Sequence, residues 1–440
     1  MHPILFRVPL PHFPLKLWWA LALVAGVAVL FSLLSVRRGD KGGALVALAV
    51  AAVAGVAGWK WQAASYQAPN IPIYAYGVML GISLVVGWYI TLPLAEKDGL
   101  PKETMANCYV VTALAALAGS RILYAVTNLD EFRSFWDLFA LRNGGLVAYG
   151  GFIGGLLGSW AFLRPKKIRL LAWADEAVPS LASGLLITRL GCYLFGCDFG
   201  KRLSDGAPRW LQTLGTFPHW PAGTLANGEG SPAYVRHTEL YRGTPLEIEL
   251  VHRNASFPVH PTQLYESLVG LVLLLLLFWQ RKHMRFRGQA FFLFVFAYGV
   301  LRFALEWWRD DVDRGSYGPT FDAHLYIPAC LLLLALGFVF GVSLGITNVR
   351  WRAVARGFAF VPAVLAYFAL RPASFAESTP YQLSTSQVIG LLSALVVSLF
   401  YARLWTEARK HPALAMSVGD PYAIRAMKEL QSGGERALGD

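Results

Sequence analysis

The 440-residue chain is 55% hydrophobic and only 15% charged, with a mean hydropathy of +0.45, whereas a soluble domain carries about 25% charged residues. With 15 Trp, 18 Tyr and 27 Phe, an aromatic load found at membrane interfaces, this excludes a disordered, collagen-like or disulfide-scaffold chain and indicates a polytopic membrane protein. The net charge of +12 does not point to nucleic acid, because the basic residues cluster in short loops between apolar runs.

Residues 1–16 have the Arg7 and Lys16 of a signal-like segment, but no small-residue cleavage site follows Val36, so the first span is expected to stay uncleaved. Runs of about 20 apolar residues predict eleven membrane helices: 17–36, 43–61, 73–95, 105–127, the Gly-rich 145–164, 178–199 with Arg189 inside it, 262–280, 289–308, 325–347, 353–371 and 387–405. No internal repeat is evident.

Lys and Arg in the short loops set the orientation. Odd-numbered loops carry Arg37, Arg38, Lys41; Lys97, Lys102; Arg164, Lys166, Lys167, Arg169; Arg281, Lys282, Arg285, Arg287; and Arg350, Arg352, Arg356. Short even-numbered loops hold only Lys60, Arg133, Arg142, Arg309, Arg314 and Arg371. The amino terminus is therefore expected outside and the carboxyl terminus inside. The long 200–261 loop, with Arg236, Glu239, Glu247 and Glu249, then forms a small outer cap, and the polar 406–440 tail is cytoplasmic and partly disordered.

The four cysteines, Cys108, Cys192, Cys197 and Cys330, are too few for a disulfide framework. Cys192 and Cys197 have no nearby His, so no zinc site is expected. Five residues apart, they fall on different faces of a helix, and pairing requires a break near Gly196.

Ionisable groups inside spans are costly and mark function. Arg121 lies late in an outward-running span, Arg189 midway along another, and Arg302 sits four residues from both Tyr298 and Glu306, making one polar stripe. Tyr76, Tyr149 and Glu266 open inward-running spans, so all these groups fall in the outer half of the bilayer and are expected to share one site. Three arginines with few acidic partners leave positive charge, and guanidinium forks suit a phospholipid phosphate. The alternative is that Arg121 and the Arg302–Glu306 pair merely cross-link helices, or that arginines snorkel to the interface. Gly144, Gly145, Gly150, Gly151, Gly154 and Gly155 around Tyr149 allow either close approach of a ligand or plain helix packing.

The segments GGLVAYGGFIGG (144–155), RLGCYLFGCDFG (189–200), HPTQLYE (260–266) and YGVLRFALEWWR (298–309) resemble the prolipoprotein diacylglyceryl transferase family, as do IYAYGVMLG (73–81) and LSTSQVIGLL (383–392). The resemblance implies a seven-helix transferase core, divided as 71–199, 262–312 and 383–405, with a periplasmic cap at 200–261. Two extra helices then precede it at 1–70, and a pair is inserted within 313–382. It implies that Arg189 binds the phosphatidylglycerol phosphate and that Arg302, with Tyr298 and Glu306, forms a second functional group, with Tyr76 at a functional tyrosine position. Tyr149 stands where well-known members have histidine, Cys192 where they have asparagine, and Cys197 where they have an acidic residue; another branch is similar to this chain in those places.

The implied reaction carries diacylglyceryl from phosphatidylglycerol to the lipobox cysteine of signal-peptide-bearing prolipoproteins, in the bacterial inner membrane and without a cofactor or metal. The expected catalytic residues are Arg302, Tyr149, Tyr298, Glu306 and Tyr76, and the expected substrate-binding residues are Arg189, Arg121, Gly150, Gly151, Gly191, His260, Gln263 and Glu266. His260, Gln263, Tyr265 and Glu266 read more as site architecture than as chemistry, and the proton acceptor is either Tyr149 or another group. A lipid-binding paralogue without transfer activity and an anionic-lipid transporter or flippase remain the alternative readings.

Overall fold

A computed structural model describes residues 3–9, 15–37, 40–62, 65–66, 70–132, 134–139, 145–220, 230–310, 315–372 and 379–419. Arg38, Arg133, Arg142, Gly144, Arg314, the cap segment 221–229 and the tail from 420 onward lie outside the described residues. The chain divides into two units, His2–Ala75 and Tyr76–Asp440.

In the first unit, β1 (Ile4–Pro9) and β2 (Leu15–Lys16) lead into α1 (Leu17–Arg37) and α2 (Lys41–Lys60), followed by β3 (Ser65–Tyr66) and β4 (Asn70–Tyr74). Asp40 caps α2 by accepting a bond from the Gly43 amide. β1 pairs antiparallel with β4 and β2 with β3, so a strand ribbon closes the ends of this helical hairpin.

The second unit holds α3 (Ala75–Lys97), α4 (Lys102–Thr127), α5 (Ala148–Leu163) and α6 (Leu170–Phe195). Three short helices follow, α7 (Arg209–Leu214), α8 (Pro232–Leu240) and α9 (Pro245–Arg253), and then α10 (Thr262–Arg281) and α11 (Gln289–Leu305). β5 (Ser316–Asp322) precedes α12 (Ala323–Phe340), α13 (Val349–Phe358) and α14 (Val361–Leu370), and β6 (Pro380–Ser384) precedes α15 (Thr385–Lys410) and α16 (Pro412–Ala415). The protein is an all-α polytopic membrane protein. Among the described residues ten helices are long and apolar enough to cross a membrane, against the eleven expected. The Gly-rich 145–164 segment is the difference, because its helix α5 has only 16 residues.

Small residues explain how α5 is held. A Cβ on Gly150 would lie 2.3 Å from the Gly119 carbonyl oxygen, and one on Gly119 2.4 Å from that of Gly150. Backbones this close exclude any side chain, the small-residue packing of membrane helices. The segment from α12 to α14 is likewise bracketed by a strand pair: β5 pairs antiparallel with β6, Ser316 opposite Ser384. The chain leaving α11 is thereby returned to the start of α15, which the Ser384–Gln387 capping box fixes.

One expected span is displaced. The predicted 178–199 helix is α6, beginning at Leu170, so that the buried Asp175 and Glu176 lie inside it. They are tolerated because each is partnered. Asp175 accepts from the Gly288 and Phe291 amides at 2.6 and 3.0 Å, capping the start of α11. Glu176 takes Arg281 at 2.6 Å and Arg287 at 3.5 Å. Asp98, just beyond α3, joins both arginines, and Arg287 also donates to the Met416 carbonyl.

The cap packs Phe199, Phe217, Ala233 and Val259 beside a second cluster of Tyr234, Leu250 and Phe257. Buried His237 accepts the Phe257 amide at Nδ1, 3.1 Å. Burial, then Arg202 and Arg236, hold its pKa down to about 4, so it packs as neutral imidazole.

Candidate functional site

α6, α10 and α11 bring three arginines and three carboxylates together at one end of the helices. Arg189, late in α6, donates through Nη1 to Asp198 at 2.5 Å and through Nε to Glu266 at 2.9 Å. Arg302, late in α11, pairs with Glu306 one turn on, lies 3.7 Å from Glu266, and donates to Ser386 Oγ at 3.0 Å. Arg309 follows the 3-10 turn Glu306–Trp308 and donates to Asp198 at 2.8 Å, with Glu266 at 3.9 Å. Glu266, just past the first turn of α10, is thus shared by all three guanidinium groups.

This corrects the expectation of uncompensated positive charge. Glu266 comes from α10, far in sequence from all three arginines, while Asp198 and Glu306 lie nine and four residues from Arg189 and Arg302, and the cluster of Arg189, Arg302 and Arg309 with Asp198, Glu266 and Glu306 balances in formal charge. Asp198 and Arg309 were not among the expected site residues, although both lie within the motifs quoted above. Their signal was a carboxylate directly after Cys197 and an arginine seven residues after Arg302. Ser386 had no signal beyond its motif.

The turn that carries Asp198 is built by local chemistry. α6 ends because Gly196 adopts φ +81°, a left-handed cap, and Asp198 follows at φ +56°. Thr262 Oγ1 donates to the Asp198 carbonyl at 2.5 Å, and Gln263 Nε2 donates to the Cys197 carbonyl at 2.5 Å. Burial raises the Asp198 carboxyl pKa, but Arg189 and then Arg309 outweigh it and hold the group at about 2. Two buried acceptors, Gln263 Oε1 and Glu266 Oε1, have no hydrogen-bond partner.

The remaining predicted residues divide. Tyr298 lies in the electrostatic neighbourhood of Glu266, Arg302, Arg189 and Tyr149, and Tyr76 in that of Cys192, Cys197, Arg189 and Asp198, so the three tyrosines border the cluster. His260 hydrogen-bonds Tyr265 at 3.2 Å, while its carbonyl accepts from the Gly200 amide, which makes it a brace between cap and helix. Burial, then Lys201, lower its pKa.

Four residues expected to bind substrate have other contacts in this structure. Arg121 donates to the backbone carbonyls of Leu138, Asp137 and Gly145 at 3.0, 2.7 and 3.0 Å, so it holds the loop before α5. Gly150 packs on Gly119 and Gly151 on Ser120 of α4, and Gly191 meets the Tyr76 backbone of α3. In each case the missing side chain admits a neighbouring helix.

The break at Gly196 also brings Cys197 back to Cys192. The two sulfurs and the Asp198 carboxylate lie within 4.8 Å of one another, a grouping able to hold a metal ion. The expectation of no zinc site rested on the lack of a nearby His; the third ligand-type group here is the Asp198 carboxylate, but both its oxygens are engaged by arginines, which a cation would have to displace.

A family model described as prolipoprotein diacylglyceryl transferase matches residues 63–349. The match ends before α15, the helix whose Ser386 binds Arg302. Among curated proteins, the phosphatidylglycerol–prolipoprotein diacylglyceryl transferase of Psychrobacter arcticus is 31% identical over 60% of this chain and 89% of its own. That of Thermus thermophilus is 31% identical over 54% and 81%, and a second-copy enzyme of Clostridium perfringens 28% over 57% and 83%. The chain belongs to the prolipoprotein diacylglyceryl transferase family and is a membrane transferase of lipoprotein biosynthesis.

Proposed function

We propose that the chain transfers the diacylglyceryl group of phosphatidylglycerol to the lipobox cysteine of a signal-peptide-bearing prolipoprotein, the first step of bacterial lipoprotein maturation. The thiol sulfur attacks the terminal glyceryl carbon and loses its proton. The carbon–oxygen bond to phosphate breaks, and its electron pair leaves with glycerol phosphate. The acceptor thus carries a thioether.

Such a displacement needs fixed positive charge where the leaving phosphate gathers negative charge. Arg189 and Arg302 serve this role, with Arg309 beside them. Glu266, Asp198 and Glu306 hold the guanidinium planes in place, so the phosphate meets donors already oriented rather than mobile side chains. Tyr149, Tyr298 and Tyr76 border this charge and supply hydroxyls to the lipid and the incoming thiol. The single observation that carries this reading is the Arg189–Glu266–Arg302 junction, where three of the family-like motifs meet.

The orientation follows from the loop charges: amino terminus periplasmic, carboxyl terminus cytoplasmic, site facing the outer leaflet of the inner membrane. Purified protein incubated with phosphatidylglycerol and a lipobox peptide is expected to add a diacylglyceryl mass to the peptide, and Arg189→Ala to abolish the gain. Intact protein that binds the lipid but yields no mass gain would overturn transfer in favour of a lipid-binding paralogue.

A further inference from the structure

Cys192 and Cys197 are not used by the proposed displacement, yet the fold brings them together. The left-handed Gly196 turns the chain out of α6 so that Cys197 Sγ comes back to 3.9 Å from the Cys192 carbonyl oxygen. The two sulfurs are within 4.8 Å of each other. Gln263 and Thr262 pin this turn from α10, and Gln263 keeps a fully buried, unpartnered Oε1 beside it.

The environments of the two thiols are unequal. Cys197 is partly exposed and Cys192 is buried. The Arg189 guanidinium stands 3.8 Å from Cys192 Sγ, where fixed positive charge favours the thiolate. One thiol is therefore open to a reagent and the other is held ready to resolve what forms. The remaining cysteines have no such partner: Cys108 is buried against Thr112, and Cys330 is buried in α12.

We propose that Cys192 and Cys197 are a dithiol site that closes to a disulfide by exchange with an organic disulfide. Cys197 Sγ attacks one sulfur of that reagent, forming a mixed disulfide and releasing one thiol, which takes the Cys197 proton. The Cys192 thiol, giving up its proton as it becomes the thiolate beside Arg189, then attacks Cys197 Sγ and expels the second sulfur as a thiolate, which takes up that proton. Two protein thiols are oxidised, one external disulfide is reduced to two thiols, and the ring spans CYLFGC. Exposure to an oxidising compartment rests on the orientation proposed above. The bond ties the turn bearing Asp198, which bridges Arg189 and Arg309, to the end of α6.

The test treats the full-length protein in detergent with oxidised glutathione, alkylates free thiols, and measures the mass of the peptide containing residues 192–197. The expected peptide is two hydrogens lighter than the dithiol, unalkylated until reductant is added, with Cys108 and Cys330 unchanged. In Cys192→Ser the expected product is a glutathione adduct trapped on Cys197. A wild-type peptide that keeps such an adduct, or that stays fully alkylatable, overturns the assignment even if the variant fails to fold. Because the readout is mass and not lipid transfer, failure here and failure of the proposed reaction are separately visible.

Discussion

Two arginine–carboxylate clusters occupy opposite ends of the same three helices. At the end of α6 and α11 and the start of α10 stand Arg189, Arg302 and Arg309 with Asp198, Glu266 and Glu306. At the start of α6 and α11 and the end of α10 stand Arg281 and Arg287 with Asp98, Asp175 and Glu176. Their chemistry is alike, but their completeness differs. At the second end Asp175 is fully answered by two amides and Arg287 ties the chain at Met416 into the cluster, and what is left without a hydrogen-bond partner beside Arg281 is a donor, Gln280 Nε2. At the first end acceptors on Gln263 and Glu266 are left over, tyrosines and thiols crowd the border, and the cap segment joins through Asp198. At the first end the unmet groups are acceptors, which a donor such as a hydroxyl or thiol could answer while the guanidinium groups answer an anion.

That contrast is broken most directly at Arg189. Arg189→Ala should lower lipid transfer by about 10²–10³-fold, as for loss of one charge-stabilising donor, while circular dichroism still reports a helical protein. An unchanged rate would make the first cluster a clamp like the second. At the opposite end, Glu176→Ala leaves Arg281 and Arg287 short of a buried partner and should cost about 3–5 kcal/mol of stability. Thermal unfolding should show this, with transfer per folded molecule near the wild-type value; a selective loss of transfer would erase the distinction.

Acid sharpens the comparison. Asp198 is held at about 2 against an unperturbed 3.8, so its stabilising effect is complete above pH 3.8 and is lost as pH falls through about 2. The difference in melting temperature between wild type and Asp198→Asn should therefore be constant above about pH 5 and shrink toward pH 2, where Asp198 is protonated. A difference that grows on acidification would contradict the pairing. The smallest effect belongs to the exposed Lys102–Glu96 pair, 3.0 Å apart with both side chains more than half exposed. Lys102→Ala should shift unfolding by no more than about 0.5 kcal/mol; a larger shift would show that ion pairs count here regardless of burial.

Much of this was legible without coordinates. Apolar runs mark the spans, since a lipid-facing helix must be apolar along its whole length. The Arg302–Glu306 bond follows from a four-residue spacing. The motifs contain Arg189 and Glu266 and also Asp198, Arg309 and Ser386, but only the first two are read from them as site residues.

The sequence by itself thus determined the membrane class, the family and two of the three arginines of the site, Arg189 and Arg302, because those signals are written in composition and short-range spacing. The tertiary structure decided who partners whom. It brought Glu266 of α10 to all three arginines and Asp198 to Arg309, turned Arg121 to brace a loop, and pressed Gly150 and Gly151 against α4. It also placed Asp175 and Glu176 inside a span and folded Cys197 back onto Cys192. Each of these depends on elements far apart in the chain meeting in space, where burial and pairing are settled together and no local pattern records the outcome.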